Sequence, residues 1–336
     1  MISDTTPTKA VANASTSATR RSLADMLFAG SRGPLVGLLL LCAVLALSTN
    51  TFLSVRNILN VMDQITVLGI MAIGMTLVIL IGGIDLSVGS ILAIAMMVMG
   101  YVGHPDYLNL SIPVGILAGL AVAGLCGFGS GLMITVMGLP PFIATLAMMS
   151  VARGLANLIT DGSQIVGFPD WFTNLSIVRH FGFLSVTVAL MIVLTVLAGI
   201  FLSYRSRGRD LYAIGGSQEV ARLSGIPVKR LTNWVYAVSG VLAGLAGIVL
   251  AARLDSVQPS SGLGYELDSI AAVVIGGASL SGGVGSIGGT AVGVLIIGVL
   301  RNGLNLLGVS PFIQQIIIGA VIALAVATDA WKRRMK

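Results

Sequence analysis

Charge is scarce in this sequence. Only 10% of its 336 residues are Asp, Glu, Lys or Arg, against about a quarter in a soluble domain. Hydrophobic residues make up 56%, more than a soluble fold of this length has interior to hide, so lipid is part of the solvent. Cysteine is nearly absent: Cys42 and Cys126 sit in apolar runs, offer neither a disulfide framework nor metal-ligand spacing, and read as small buried hydrophobes. The two histidines, His104 and His180, lie in polar loops without a Cys or second His at ligand spacing. No Gly-x-x-x-x-Gly-Lys-Ser/Thr run occurs, and the glycine-rich stretch 282–289 lacks the lysine and follows no strand, so the chain has no phosphate-binding loop of its own. Neither a nucleophile elbow nor a zinc motif is present, which argues against an enzyme.

Glycine, by contrast, is abundant, at 43 residues. Small residues let helix backbones approach closely in a membrane bundle. A spanning helix needs about 20 apolar residues at 1.5 Å each. Ten stretches qualify: 33–49, 61–82, 86–102, 111–133, 140–158, 181–203, 231–252, 265–280, 286–304 and 311–329. Residues 1–32 read as a flexible polar tail, Phe52 to Asn60 as a short interfacial helix, and 332–336 as a basic tail. The pair Arg20-Arg21 lies too far from the first apolar run for an export signal. With the N-terminus inside and ten alternating spans, 14 of the 19 Lys and Arg residues fall on inner segments, the bias of cytoplasmic loops. The net charge of +6 thus reports topology rather than a nucleic-acid partner. The expected fold is an all-α polytopic membrane protein with both termini cytoplasmic.

An internal echo recurs at an offset of 170 residues. Pro141-Phe142-Ile143 returns as Pro311-Phe312-Ile313, Gly74 matches Gly244, Leu80 matches Leu250 and Asp85 matches Asp255. Chance matching of apolar segments is the competing explanation. Read as a repeat, the echo predicts two five-helix halves of opposite orientation, because five is odd, and inverted halves are a transporter signature.

The longest inner loop, 204–230, carries the clearest local signal. Ser217 is placed to cap a short helix, Glu219 sits in its first turn where the dipole favours a carboxylate, and Gly225 and Pro227 end it. Val220, Leu223 and Ile226 share one face. So short a helix is marginal alone in water and needs the membrane domain or a partner. The bland alternative is a solvated basic loop.

Here the sequence resembles a known family. Glu219-Val220-Ala221-x-x-x-Gly225 is similar to the loop by which permeases of ATP-binding-cassette (ABC) importers dock on their ATPase subunits, with Val220 where that loop usually has a second alanine. Gly82-Gly83-Ile84-Asp85-Leu86-Ser87-Val88-Gly89-Ser90, Pro140-Pro141-Phe142-Ile143-Ala144-Thr145-Leu146 followed by Arg153-Gly154, and Tyr265-Glu266-Leu267-Asp268-Ser269 followed by Gly276-Gly277 and Gly282-Gly283-Val284-Gly285-Ser286 resemble the ribose-type branch of sugar permeases. The resemblance covers about residues 50 to 330. It implies a ten-span subunit of the bacterial inner membrane that imports a monosaccharide. Its partners would be a second permease copy, a periplasmic sugar-binding protein and a separate ABC ATPase, which binds the ATP and Mg²⁺; this chain itself holds no cofactor. Ser217, Glu219, Val220, Ala221, Leu223 and Gly225 would form the coupling contact.

Residues with a physical claim on the pathway are few. Asp85 and Ser87 lie between two spans among glycines that permit a broken helix. A carboxylate there is either functional or the cap of the next helix. Arg153 and Arg301 fall within spans and need partners, with Asn157, Asn302 and Asn305 nearby. Glu266 and Asp268 open a span and suit either its dipole or the pathway mouth. The pairs Gly240/Gly244, Gly285/Gly289 and Gly289/Gly293 read as packing faces. Branched-chain amino acid or nucleoside permeases share the layout. An ion-coupled secondary transporter would share the repeat and the buried acids but would not need the docking loop.

Overall fold

The computed structural model of the chain describes residues 32–334, so most of the N-terminal tail and the last two residues of the basic C-terminal tail lie outside the described residues. Thirteen helices occur among them: α1 (Arg32–Ser48), α2 (Val55–Leu80), α3 (Val88–Gly103), α4 (Ile112–Thr135), α5 (Pro141–Leu158), α6 (Asp170–Ile177), α7 (Val186–Tyr204), α8 (Ser206–Gly216), α9 (Gln218–Leu223), α10 (Val228–Leu254), α11 (Tyr265–Ile275), α12 (Ile287–Leu306) and α13 (Pro311–Arg334). Among the same residues there are two pairs of two-residue strands. β1 (Ile165–Val166) pairs antiparallel with β4 (Ser256–Val257), and β2 (Arg179–His180) with β3 (Leu184–Ser185).

Each of the ten apolar stretches falls on a helix, and among the described residues six helices (α2, α4, α5, α7, α10 and α12) are long and apolar enough to cross a membrane. The chain is thus a polytopic, mostly helical membrane protein. Helix α11 differs most from expectation. It stops at Ile275 because Gly276 and Gly277 follow, the latter at φ +97°. Its eleven residues rise about 16 Å, half a hydrocarbon core. The expected interfacial helix at Phe52 to Asn60 is not separate either. Ser54 accepts a hydrogen bond from Asn57 N, and α2 runs unbroken from Val55 for 26 residues. The loop 159–180 holds α6 and two strands rather than plain coil.

Helices α2 and α10 are the inner pair. Within their most apolar stretches 89% and 78% of residues are buried, against 22–28% for α4, α5 and α7, whose apolar outer faces suit lipid. Glycine makes the close crossings. A Cβ on Gly127 of α4 would strike the Tyr236 carbonyl of α10, and one on Gly240 the Ala123 carbonyl of α4. The expected packing faces are real for these pairs: Gly244 meets Ala123 and Ala95, while Gly289 and Gly293 of α12 sit on the backbone of α11 at Gly276 and Ala272. Only Gly285 stands outside a helix, ahead of α12 beside Ala278.

The bundle has two distinct ends. One carries α8 and α9 together with the turns 81–87 and 276–286. The other carries the strands, α6 and the starts of α2 and α11.

Candidate functional site

At the first end, α8 and α9 form a small two-helix module. Ser217 accepts from Val220 N at 3.3 Å and caps α9; Ser224 N and Ile226 N donate back to Val220 and Ala221, and Gly225 at φ +84° turns the chain towards α10. The helix has the expected ends and the expected glutamate in its first turn. Its faces divide differently. Ala221 is the buried anchor, 2% exposed, whereas Val220 and Leu223 point away from the protein at 61% and 76% exposure, with Ile226 half-buried. Two apolar side chains held outward at the tip of a rigid module are unsatisfied by this chain alone.

The base of the module is clamped to the membrane helices. Leu211 and Ile214 are buried, Tyr212 Oη donates to the Gly285 carbonyl at 3.0 Å, and burial pushes that hydroxyl's pKa above its ordinary value. A Cβ on Gly215 would land on the Leu80 carbonyl and on Gly283 N, which themselves hydrogen-bond at 2.9 Å. The module therefore bears on the end of α2 and on the turn between α11 and α12 at once. Gln218 and Lys229 also line a cavity of about 380 Å³ together with Gly82, Gly83, Thr135 and Tyr236.

Next to that cavity lies Asp85, fully buried. Its Oδ1 accepts from Ser87 N at 2.9 Å and from Ser87 Oγ, making a turn ahead of α3 whose N-cap position is Ser87 itself; its Oδ2 accepts from Ser239 Oγ of α10 at 3.1 Å. Thr145 Oγ1 of α5 donates to the Ile84 carbonyl at 3.2 Å. The broken segment between α2 and α3 is thus tied to α10 and α5. The buried Tyr236 hydroxyl, which stands where a Gly83 side chain would go, finds no hydrogen-bond partner among the described residues.

The remaining site candidates lie at the strand end, away from Asp85 and Ser87. The asparagines do not serve the arginines as expected. Arg153 of α5 donates to the Ser261 carbonyl at 2.8 Å and to the Pro259 carbonyl, and Asn157 donates to the Arg153 carbonyl. Arg301 of α12 pairs with Asp268 of α11 at 2.7 Å. Asn302 exchanges hydrogen bonds with Asn57 of α2, and Asn305 accepts from Gln314 of α13 at 2.7 Å. Glu266 Oε1 accepts from Gly264 N at 3.2 Å, just ahead of its helix. The twelve candidates thus form a coupling module and a buried turn at one end and two separate arginine clusters at the other. Ser239, Tyr236 and Gln314 belong to these clusters without a sequence signal of their own, and a further ion pair, Asp63–Arg179 (2.7 Å), joins α2 to β2. A polar residue inside an apolar run was the one available hint.

The family model for "Branched-chain amino acid transport system / permease component" matches residues 57–326. The ribose import permease protein of Bacillus subtilis is 45% identical over 306 residues, covering 89% of this chain and 92% of the relative. The ribose import permease protein of Escherichia coli K12 is 43% identical, covering 89% and 93%. The fructose import permease protein of Rhizobium meliloti is 37% identical over 84% of this chain and 80% of its own length. No solved structure matches the chain.

Proposed function

The chain belongs to the branched-chain amino acid transport system / permease component family, within its ribose-type sugar-permease branch, and on that premise we propose that it is the membrane-spanning subunit of an ABC importer for a monosaccharide. Ribose and related sugars are the substrate class, since the similar proteins are named for ribose and fructose. The chain is a transport component rather than an enzyme. ATP and Mg²⁺ are bound by a separate ATPase subunit, and α9 is where that subunit docks. The observation that carries this reading is the pair Val220 and Leu223, held outward on a module whose base bears on both the α2 end and the α11–α12 turn. A push on α9 from a partner closing on ATP reaches both turns without an intervening flexible link, and Asp85 is two residues from the Gly83 turn.

Ten spans in two inverted halves make the transport cycle intelligible, because exchanging the shapes of the halves alternates access. Two features support that arrangement. Helix starts repeat at 55 and 228, 88 and 265, 112 and 287, and 141 and 311. The packing is also mirrored: α10 lies on α3 and α4 as α2 lies on α11 and α12, and α3 touches α5 as α11 touches α13. The α8–α9 end is cytoplasmic, as are both termini, in line with the basic residues of 204–230. A periplasmic sugar-binding protein delivers substrate to the strand end, and a second permease copy completes the channel. The protein resides in the bacterial inner membrane.

The test is affinity capture of the tagged permease from gently solubilised membranes, with identification of the chains that come with it. An ABC ATPase is expected, and it is expected to be lost when residues 217–225 are replaced by a Gly-Ser linker. A permease that comes alone and accumulates sugar under a proton gradient would move the chain to the secondary transporters.

A further inference from the structure

Between α11, α12 and α13, at the strand end, lies a cavity of about 350 Å³. Its polar side is the Arg301–Asp268 pair with Gln314 and Gln315, and its apolar side includes Leu267 and Ile318. The polar groups are fixed but not used up. Arg301 Nη2 is committed to Asp268 Oδ2, and among the described residues neither the rest of the guanidinium nor Asp268 Oδ1 makes a hydrogen bond. Gln314, itself buried, spends its amide nitrogen on Asn305 Oδ1 and on the Val309 carbonyl (2.9 Å), leaving Oε1 as a free acceptor.

The chemistry selects a class of solute. The charges of the pair cancel and the other lining residues are uncharged, so the lining itself carries no net charge. Free N–H donors stand beside free carboxylate and amide acceptors, the pattern met by groups that donate and accept at once, above all neighbouring hydroxyls. Apolar walls beside such a polar edge suit the C–H face of a sugar ring, and the space falls in the range of small-molecule sites. Resting on the sugar-import reading above, we infer that this cavity is an acceptor site for a neutral monosaccharide entering the permease, with the Arg301–Asp268 pair and Gln314 as its hydrogen-bonding floor.

The test uses the complete importer in lipid nanodiscs, carrying Gln315→Cys with Cys42→Ala and Cys126→Ala. Modification by a water-soluble maleimide is timed with and without D-ribose, L-arabinose or D-fructose. At least one sugar is expected to slow labelling about threefold or more, as occupancy of the site requires. A second variant adds Gly319→Leu, which fills the cavity from a position where a Cβ meets no atom within 4 Å; the protection is expected to vanish. Equal labelling rates with every sugar, or protection that persists beside Gly319→Leu, would overturn the inference. So would an introduced thiol that never reacts, since lipid or a second permease copy would then cover the cavity. Transport of the same sugars by the unaltered importer is measured in parallel. Transport without protection removes this site alone, whereas no transport of any sugar removes the import reading on which it rests.

Discussion

Truncating the outward face of α9, Val220→Ala with Leu223→Ala, separates coupling from folding. Full burial of such a side chain contributes about 1.5–3 kcal/mol. With 61% and 76% of these residues now exposed, a partner that covers them gains about 1–2 kcal/mol from each. Losing both should weaken ATPase association by about 2–4 kcal/mol, which is about thirtyfold to several hundredfold in the dissociation constant. Stability of the permease itself should move by no more than about 0.5 kcal/mol, because the removed atoms touch little of their own chain. The assay is titration of the purified ATPase onto nanodisc-embedded permease by fluorescence anisotropy, with thermal unfolding of the permease as the control. Ala221→Leu should behave in the opposite way: it lies in a 2% exposed position, so overpacking costs about 1–3 kcal/mol of permease stability. Unchanged affinity for the double variant, with normal transport, would refute the docking role of α9.

Asp85→Ala removes the acceptor shared by Ser87 and Ser239, leaving buried donors unpaired; a loss of about 2–4 kcal/mol in thermal stability is expected, less in Asp85→Asn, which keeps one acceptor oxygen. Arg301→Ala alone strands Asp268 and should cost about 3–5 kcal/mol, while Arg301→Ala with Asp268→Ala should recover part of it; equal losses in the single and double variants by thermal unfolding would show that the pair is not coupled. Tyr212→Phe deletes the bond to the Gly285 carbonyl and should loosen the α8–α9 module by about 1 kcal/mol, read as faster amide exchange in 206–223. Burial holds the Tyr212 hydroxyl neutral beyond its unfolded value, so its contribution is intact below a pH of about 10 and declines as pH rises through the folded value. Protection of 206–223, taken relative to the base-catalysed intrinsic exchange rate, should therefore fall at alkaline pH in the native chain and not in Tyr212→Phe.

Much of the architecture was legible in the chain because lipid imposes a one-dimensional rule. Apolar length decides where a helix lies, and glycine decides where helices can touch. The ten apolar stretches, the cap at Ser217, the stop at Gly225 and the close approach at Gly240 and Gly244 all follow from residue type and spacing. Local rules fail where a partner lies far along the sequence. Asn57 and Asn302 are 245 residues apart, Asp85 and Ser239 are 154 apart, and nothing in either segment identifies the other. The same limit explains the arginines: residues within spans need partners, but only the crossing of α12 with α11 made Asp268 the partner of Arg301, and only the chain's return past α5 brought the Pro259 and Ser261 carbonyls to Arg153. On α9 the sequence identified three apolar residues on a short helix. None of the three is the anchor: Ala221 is buried while Val220 and Leu223 stay outward, a division set by how the module settles on the closed bundle and not by residue type.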